Sequence, residues 1–234
     1  MEILATIVTF FREGGFFMYP VLLVAALGSA VVIERLLYIS RAATNADSFW
    51  QQLRPHLTAH RVDDAIKLCQ SKRQPIYYVF LQGLKAVKIS ETRDALQRAL
   101  QEAMLDILPP LERRTPYLPI LANVATLLGL LGTIIGVIEA FKAVAAADPS
   151  QKAVLLAGGI STALNMTAFG LIVAIPLILI YALLQSRTNK IVDSLDQYST
   201  KLINFYASPQ SAVSPEKGKE KENVAAVPKT IQAH

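Results

Sequence analysis

The sequence predicts an all-α membrane protein, with three transmembrane helices extending into a cytoplasmic helical bundle. Residues 115–138 contain no charge, and neither do residues 153–186. Each run exceeds the roughly 20 apolar residues with which a helix crosses a bilayer. The chain as a whole is 53% hydrophobic and 18% charged, with mean hydropathy +0.38, and soluble domains seldom leave such long stretches uncharged. No segment alternates apolar and polar side chains as a half-buried strand would.

The elements follow in order. Residues 1–14 are apolar on one side and carry Phe10 and Phe11 before the Gly14-Gly15 break, a pattern suited to an N-terminal interfacial helix. Residues 15–40 form the first transmembrane helix. Pro20 lies near its start, where a missing N–H costs least. Glu34 and Arg35 close the apolar run and can snorkel or pair at the interface. Glu2, not a basic segment, precedes the first apolar residues, and no small-residue cleavage site follows the run. The span therefore reads as retained and not as a cleaved signal.

Residues 41–112 read as a cytoplasmic helical region. Ala95, Leu96, Ala99, Leu100, Ala103, Met104 and Ile107 make one broad helical stripe. Pro109-Pro110, Pro116 and Pro119 mark bends or caps on the approach to the second span. The region offers no phosphate-binding glycine motif. His56, His60 and Trp50 have no metal-ligand spacing, and Cys69, the single cysteine, cannot make a disulfide framework. With no nucleophile–base pair and no metal cluster, the chain is not expected to be an enzyme or to hold a cofactor.

The second transmembrane helix spans residues 113–142, a periplasmic loop 143–152 and the third transmembrane helix 153–186. The helix is expected to continue after Ile180 as Tyr181 to Phe205, with Leu184, Arg187, Ile191, Leu195 and Tyr198 at helical spacings, and the stretch 187–207 reads as its cytoplasmic part. Residues 208–234, rich in Lys, Glu, Pro, Ala and Val without apolar periodicity, read as a disordered tail. The net charge of +5 is distributed by side. Lys and Arg crowd residues 41–114 and the stretch after 186, so those segments are cytoplasmic and the N-terminus and the 143–152 loop lie outside. A basic balance explained by topology, with no base-reading motif beside it, excludes nucleic acid as the partner.

The spans carry small polar groups. Asn123, Thr126, Leu130, Thr133 and Val137 recur every three or four residues and share one helix face. Gly129, Gly132 and Gly136 supply a surface for close helix contact. In the third span Ser161, Thr162, Asn165 and Thr167 cluster in the first half, Gly159, Ala163, Gly170 and Ala174 make a second compact surface, and Pro176 is a candidate kink. Such hydroxyls and amides can replace water around a small cation or order a water chain. They can equally bond to neighbouring backbones in a tight bundle, and spacing leaves both readings open. Threonine cannot titrate as a relay. Neither charge-free run holds a carboxylate, and Glu139 stands at the outer end of the second span, as an interfacial charge or a guide for cations. A proton crossing here needs a carboxylate from another chain.

Leu128-Gly129-Leu130-Leu131-Gly132-Thr133-Ile134-Ile135-Gly136, with Ala140-Phe141 after it, resembles the second-span signature of the MotA/TolQ/ExbB proton channel family. Gly159-Ile160-Ser161-Thr162-Ala163-Leu164, then Thr167-Ala168 and Gly170 through Pro176, resembles its third-span signature. Glu34-Arg35-Leu36 fits the family's pattern at the end of the first span, and three spans resemble ExbB and TolQ more than flagellar MotA. The resemblance implies a bacterial inner-membrane homo-oligomer, a pentamer, assembled as a ring whose second and third spans line a central pore. It implies a partner there, the single-span helix of an ExbD/TolR-like protein, as a dimer bearing an essential Asp, and a TonB/TolA-like protein is a further candidate partner beside the membrane lipids. The family's pore threonines fall on Thr133 and Thr167, with Thr162, Asn165 and Thr126 the other candidates for the ion pathway. ExbB and TolQ usually carry Glu where this chain has Thr162, which leaves proton against sodium open. The reading is an ion-driven motor subunit that turns proton flow into mechanical work for envelope transport or maintenance. A non-conducting membrane scaffold is the alternative. A solute transporter lacks its inverted repeat.

Overall fold

The structure, a computed structural model, describes residues 18–90 and 92–207. The interfacial helix expected at 1–14 and the tail expected at 208–234 lie outside the described residues. Among the described residues the regular structure is entirely helical: α1 (Met18–Ala42), α2 (Ala46–Thr58), α3 (Val62–Gln70), α4 (Pro75–Ile89), α5 (Arg93–Glu112), α6 (Tyr117–Ala146) and α7 (Lys152–Ala207). Three of the helical stretches are long and apolar enough to cross a membrane.

The last helix organises the molecule. Its 56 residues extend about 84 Å at 1.5 Å per residue, far beyond the hydrocarbon thickness of about 30 Å. The third span and the helix expected at 187–207 are one uninterrupted element, because nothing between Ser186 and Arg187 breaks the helical repeat. Pro176 lies inside it without ending it. The upper part of α7 packs with α1 and α6 around Val21, Val24, Leu118, Ala125, Phe169 and Leu177. Its lower part enters a second core with α2–α5, where Leu195, Tyr198 and Leu202 meet Phe49, Phe80, Leu84 and Leu100. Ile191 packs against both cores.

Local chemistry starts the shorter helices. The Asn45 side chain accepts from the Ser48 N–H at 3.2 Å and caps α2. Asp63 and Asp64 occupy the first turn of α3, where the helix dipole favours negative charge, and Pro75 opens α4. Two boundaries differ from the sequence expectation. Pro109 and Pro110 sit within α5, and the break comes afterwards, at residues 113–116, where Arg114 adopts φ 65°. The connection between α6 and α7 is residues 147–151, shorter than the expected 143–152. Residues 143–146 read Ala-Val-Ala-Ala and prolong α6 because alanine propagates a helix well, and Asp148-Pro149 ends the run.

Candidate functional site

The face that α6 turns to α7 is built from small residues. A Cβ placed on Gly170 would lie 2.8 Å from the Ala125 carbonyl oxygen and 3.1 Å from Gly129 Cα. One on Gly136 would meet Ala163 Cβ at 3.1 Å, one on Gly159 would collide with Ala140, and one on Gly132 would strike the Met166 side chain. Backbones therefore approach closely along most of the shared length, the geometry that drives helix association where lipid is the solvent. Pro176 stands beside Leu177, which fills the hollow of α1 at Gly28 with Cδ2 2.8 Å from where a Cβ would stand.

Close approach brings two hydroxyls together. Thr133 Oγ1 on α6 and Thr167 Oγ1 on α7 are in hydrogen-bond contact. Thr133 Oγ1 also lies 3.2 Å from the carbonyl oxygens of Gly129 and Ala163, and Thr167 Oγ1 lies 3.2 Å from the Gly129 oxygen across the interface. Both threonines are half-buried, so one side of the pair is open to another helix or to water. The other candidates stand apart from this contact. Thr126 donates to the Ala122 oxygen at 3.1 Å and Thr162 to the Gly158 oxygen at 3.1 Å, each within its own helix. Asn165 is half-buried, and two residues on a helix turn it well away from Thr167. Glu139 is exposed on α6.

Sequence reasoning placed Arg35 at the end of the apolar run, to snorkel or pair, and missed the role that the structure gives it. It is 3% exposed, and its Nε donates to Thr115 Oγ1 at 3.0 Å, its Nη1 to the Pro110 oxygen at 3.2 Å and its Nη2 to the Leu111 oxygen. The guanidinium thus caps the carbonyl end of α5 at the turn that leads into α6, where orphan carbonyls need donors. The signal was present in the spacing. Gly28, Val32, Arg35, Ile39 and Ala42 form the buried stripe of α1, while Glu34 falls off that stripe and pairs with Arg114.

Beyond the spans, two groups are chemically quiet. The Tyr198 hydroxyl donates to the Asp47 carboxylate, which with burial pushes it up to about 12, so it stays a neutral donor joining α7 to α2. Burial pushes the Cys69 thiol up to about 12 as well, far from the thiolate that a reactive cysteine needs. Among the described residues no cluster of His, Cys, Asp or Glu could hold a metal ion. The arrangement can hold and orient small hydrogen-bonding species at one point between two spans.

Comparison with known proteins agrees with this architecture. The profile of the MotA/TolQ/ExbB proton channel family matches residues 71–197. The ExbB-like biopolymer transport protein 3 of Synechocystis is 30% identical over 192 residues, covering 76% of this chain and 90% of that protein. The Tol-Pal system protein TolQ of Haemophilus influenzae is 37% identical over 107 residues, 44% of this chain and 46% of its own length. An ExbB homolog of Methanothermobacter thermautotrophicus is 27% identical over 197 residues, covering 82% of this chain and 67% of that protein.

Proposed function

Because this chain belongs to the MotA/TolQ/ExbB proton channel family, we propose that it is an ion-conducting motor subunit, with protons as the ion. It works as a ring, a pentamer, in a bacterial inner membrane. An ExbD/TolR-like single-span dimer stands in the pore, and a TonB/TolA-like protein receives the work. The observation that carries the reading is the half-buried Thr133–Thr167 hydroxyl pair where two long uncharged stretches meet. A polar group at membrane depth is tolerated where it faces protein or water and not lipid. The pair orients a passing ion or its water but cannot carry charge itself, so the titrating carboxylate is the partner's. The side bearing Arg41, Arg113, Arg114, Arg187 and Lys190 is cytoplasmic by the positive-inside rule.

One observation favours the scaffold reading. Three of the contacts made by the pair are to backbone carbonyls of α6 and α7, which is what helix glue would do. Ion flux separates the two. Proteoliposomes holding this chain with its co-expressed single-span partner should dissipate an imposed proton gradient, and those holding this chain alone should not. A scaffold gives no flux in either case. The same assay tests Thr162. If the absent carboxylate sets ion choice, Thr162→Glu shifts the ratio of proton to sodium flux, and an unchanged ratio removes Thr162 from ion selection.

A further inference from the structure

A cavity of about 330 Å³ opens where α1 leaves the membrane and α7 passes into the helical bundle. Its inner wall is apolar, with Ile39, Ile76 and Ile191, and its mouth carries Arg187, Lys190 and Ser194. Arg187 and Lys190 are three residues apart, hence on one face of α7. Both are exposed, and neither joins an ion pair among the described residues. No carboxylate lines the cavity, and Asp47, just beyond its wall at Ala46, already accepts from Tyr198.

Depth decides what such a site meets. The charge-free part of α7 ends at Ser186, so Arg187 is the first cation below the hydrocarbon. On α1, Ile39 lies five residues past Glu34, about 8 Å further along the axis. Lipid headgroups occupy a zone of that thickness, roughly 5–7 Å on each side of the hydrocarbon. Leu183 and Leu179, one and two turns above Arg187 on α7, are exposed at 64% and 60% and continue the mouth upward as an apolar ridge. Basic pockets between helices at this depth suit phospholipid headgroups.

We propose that this cavity holds the phosphate headgroup of an anionic phospholipid from the leaflet adjoining the helical bundle, with an acyl chain along Leu183 and Leu179. Arg187 and Lys190 neutralise the phosphate, and Ser40 and Thr44 on the cavity wall offer hydroxyls to the glycerol. The site needs only that the chain spans a membrane, and stands whether or not the protein conducts ions.

Native mass spectrometry of the full-length protein, titrated with phosphatidylglycerol or phosphatidylcholine of the same acyl chains, tests it. Wild type should retain phosphatidylglycerol roughly thirtyfold better, as two interfacial cations imply. Arg187→Gln/Lys190→Gln should abolish the preference, whereas Lys67→Gln/Arg98→Gln, which neutralises two cations away from the cavity, should keep it. Ala43→Trp, at an exposed position on the cavity wall outside the helices, fills the space with both cations in place and should also lower retention. Equal retention of the two lipids by wild type would overturn the site, and so would undiminished preference in the cavity variants. Displacement of the lipid by millimolar inorganic phosphate would overturn it in favour of a soluble anion.

Discussion

Thr133→Val and Thr167→Val should each stop ion flux, with assembly of the protein unchanged. Valine copies the shape of threonine and removes only the hydroxyl. The carbonyls that these hydroxyls touch, those of Gly129 and Ala163, already accept backbone N–H groups within their helices. Losing one interhelical hydrogen bond in a membrane protein costs about 0.6 kcal/mol on average. That is a factor of under about three in an equilibrium or rate, too little to unfold a bundle with two extended cores. A fall beyond about tenfold, with an unchanged size-exclusion profile, therefore reports a lost ion contact. Because the two oxygens bond to each other, the double variant should be no worse than either single one. Normal flux through both single variants would leave the pair as helix glue.

Gly170→Ala should push α6 and α7 apart and sharply lower the yield of folded protein. The added methyl meets backbone on the partner helix, the Ala125 oxygen at 2.8 Å and Gly129 Cα at 3.1 Å, and neither can rotate away. Overpacking of this kind costs typically about 1–3 kcal/mol, and Gly170→Leu would cost more. Two other glycines set the scale. At Gly132 the methyl meets the flexible Met166 side chain, which can move, and at Gly158 it meets nothing within 4 Å. Thermal melts in detergent should therefore rank Gly170→Ala as most destabilised, Gly132→Ala next, and Gly158→Ala close to wild type or slightly above it, since alanine favours helix over glycine by about 1 kcal/mol. A melt for Gly170→Ala equal to that of Gly158→Ala would mean that the two spans do not meet in this register.

These variants also mark what the sequence could disclose. The three spans were legible because uncharged length is a one-dimensional property, visible in residues 14–33, 115–138 and 153–186. Helical periodicity likewise put Thr133 with Asn123 and Thr126 on one side of α6. What periodicity lacks is register between helices. That Thr133 meets Thr167, and that Thr126 and Thr162 only bond back along their own helices, depends on the close approach at Gly129, Gly136 and Gly170. The role of Arg35 was hidden for a different reason. A charge after an apolar run reads as a membrane boundary, and only the three-dimensional path of residues 110–115 brings the orphan carbonyls of α5 to its guanidinium. The passage of α7 from the membrane into the bundle could be followed in the sequence, because hydropathy changes at Arg187 while helical periodicity continues, and the structure has one helix there.

The most direct measurement is cryo-electron microscopy of the full-length protein co-expressed with its single-span partner. The account predicts a ring with a helix of the partner on its axis, and the open sides of the Thr133 and Thr167 hydroxyls turned inward within reach of that helix's carboxylate. A ring whose centre is closed by Leu127, Ile134 and Ile138 from each copy, with both hydroxyls facing a neighbouring subunit and no second protein inside, would contradict it.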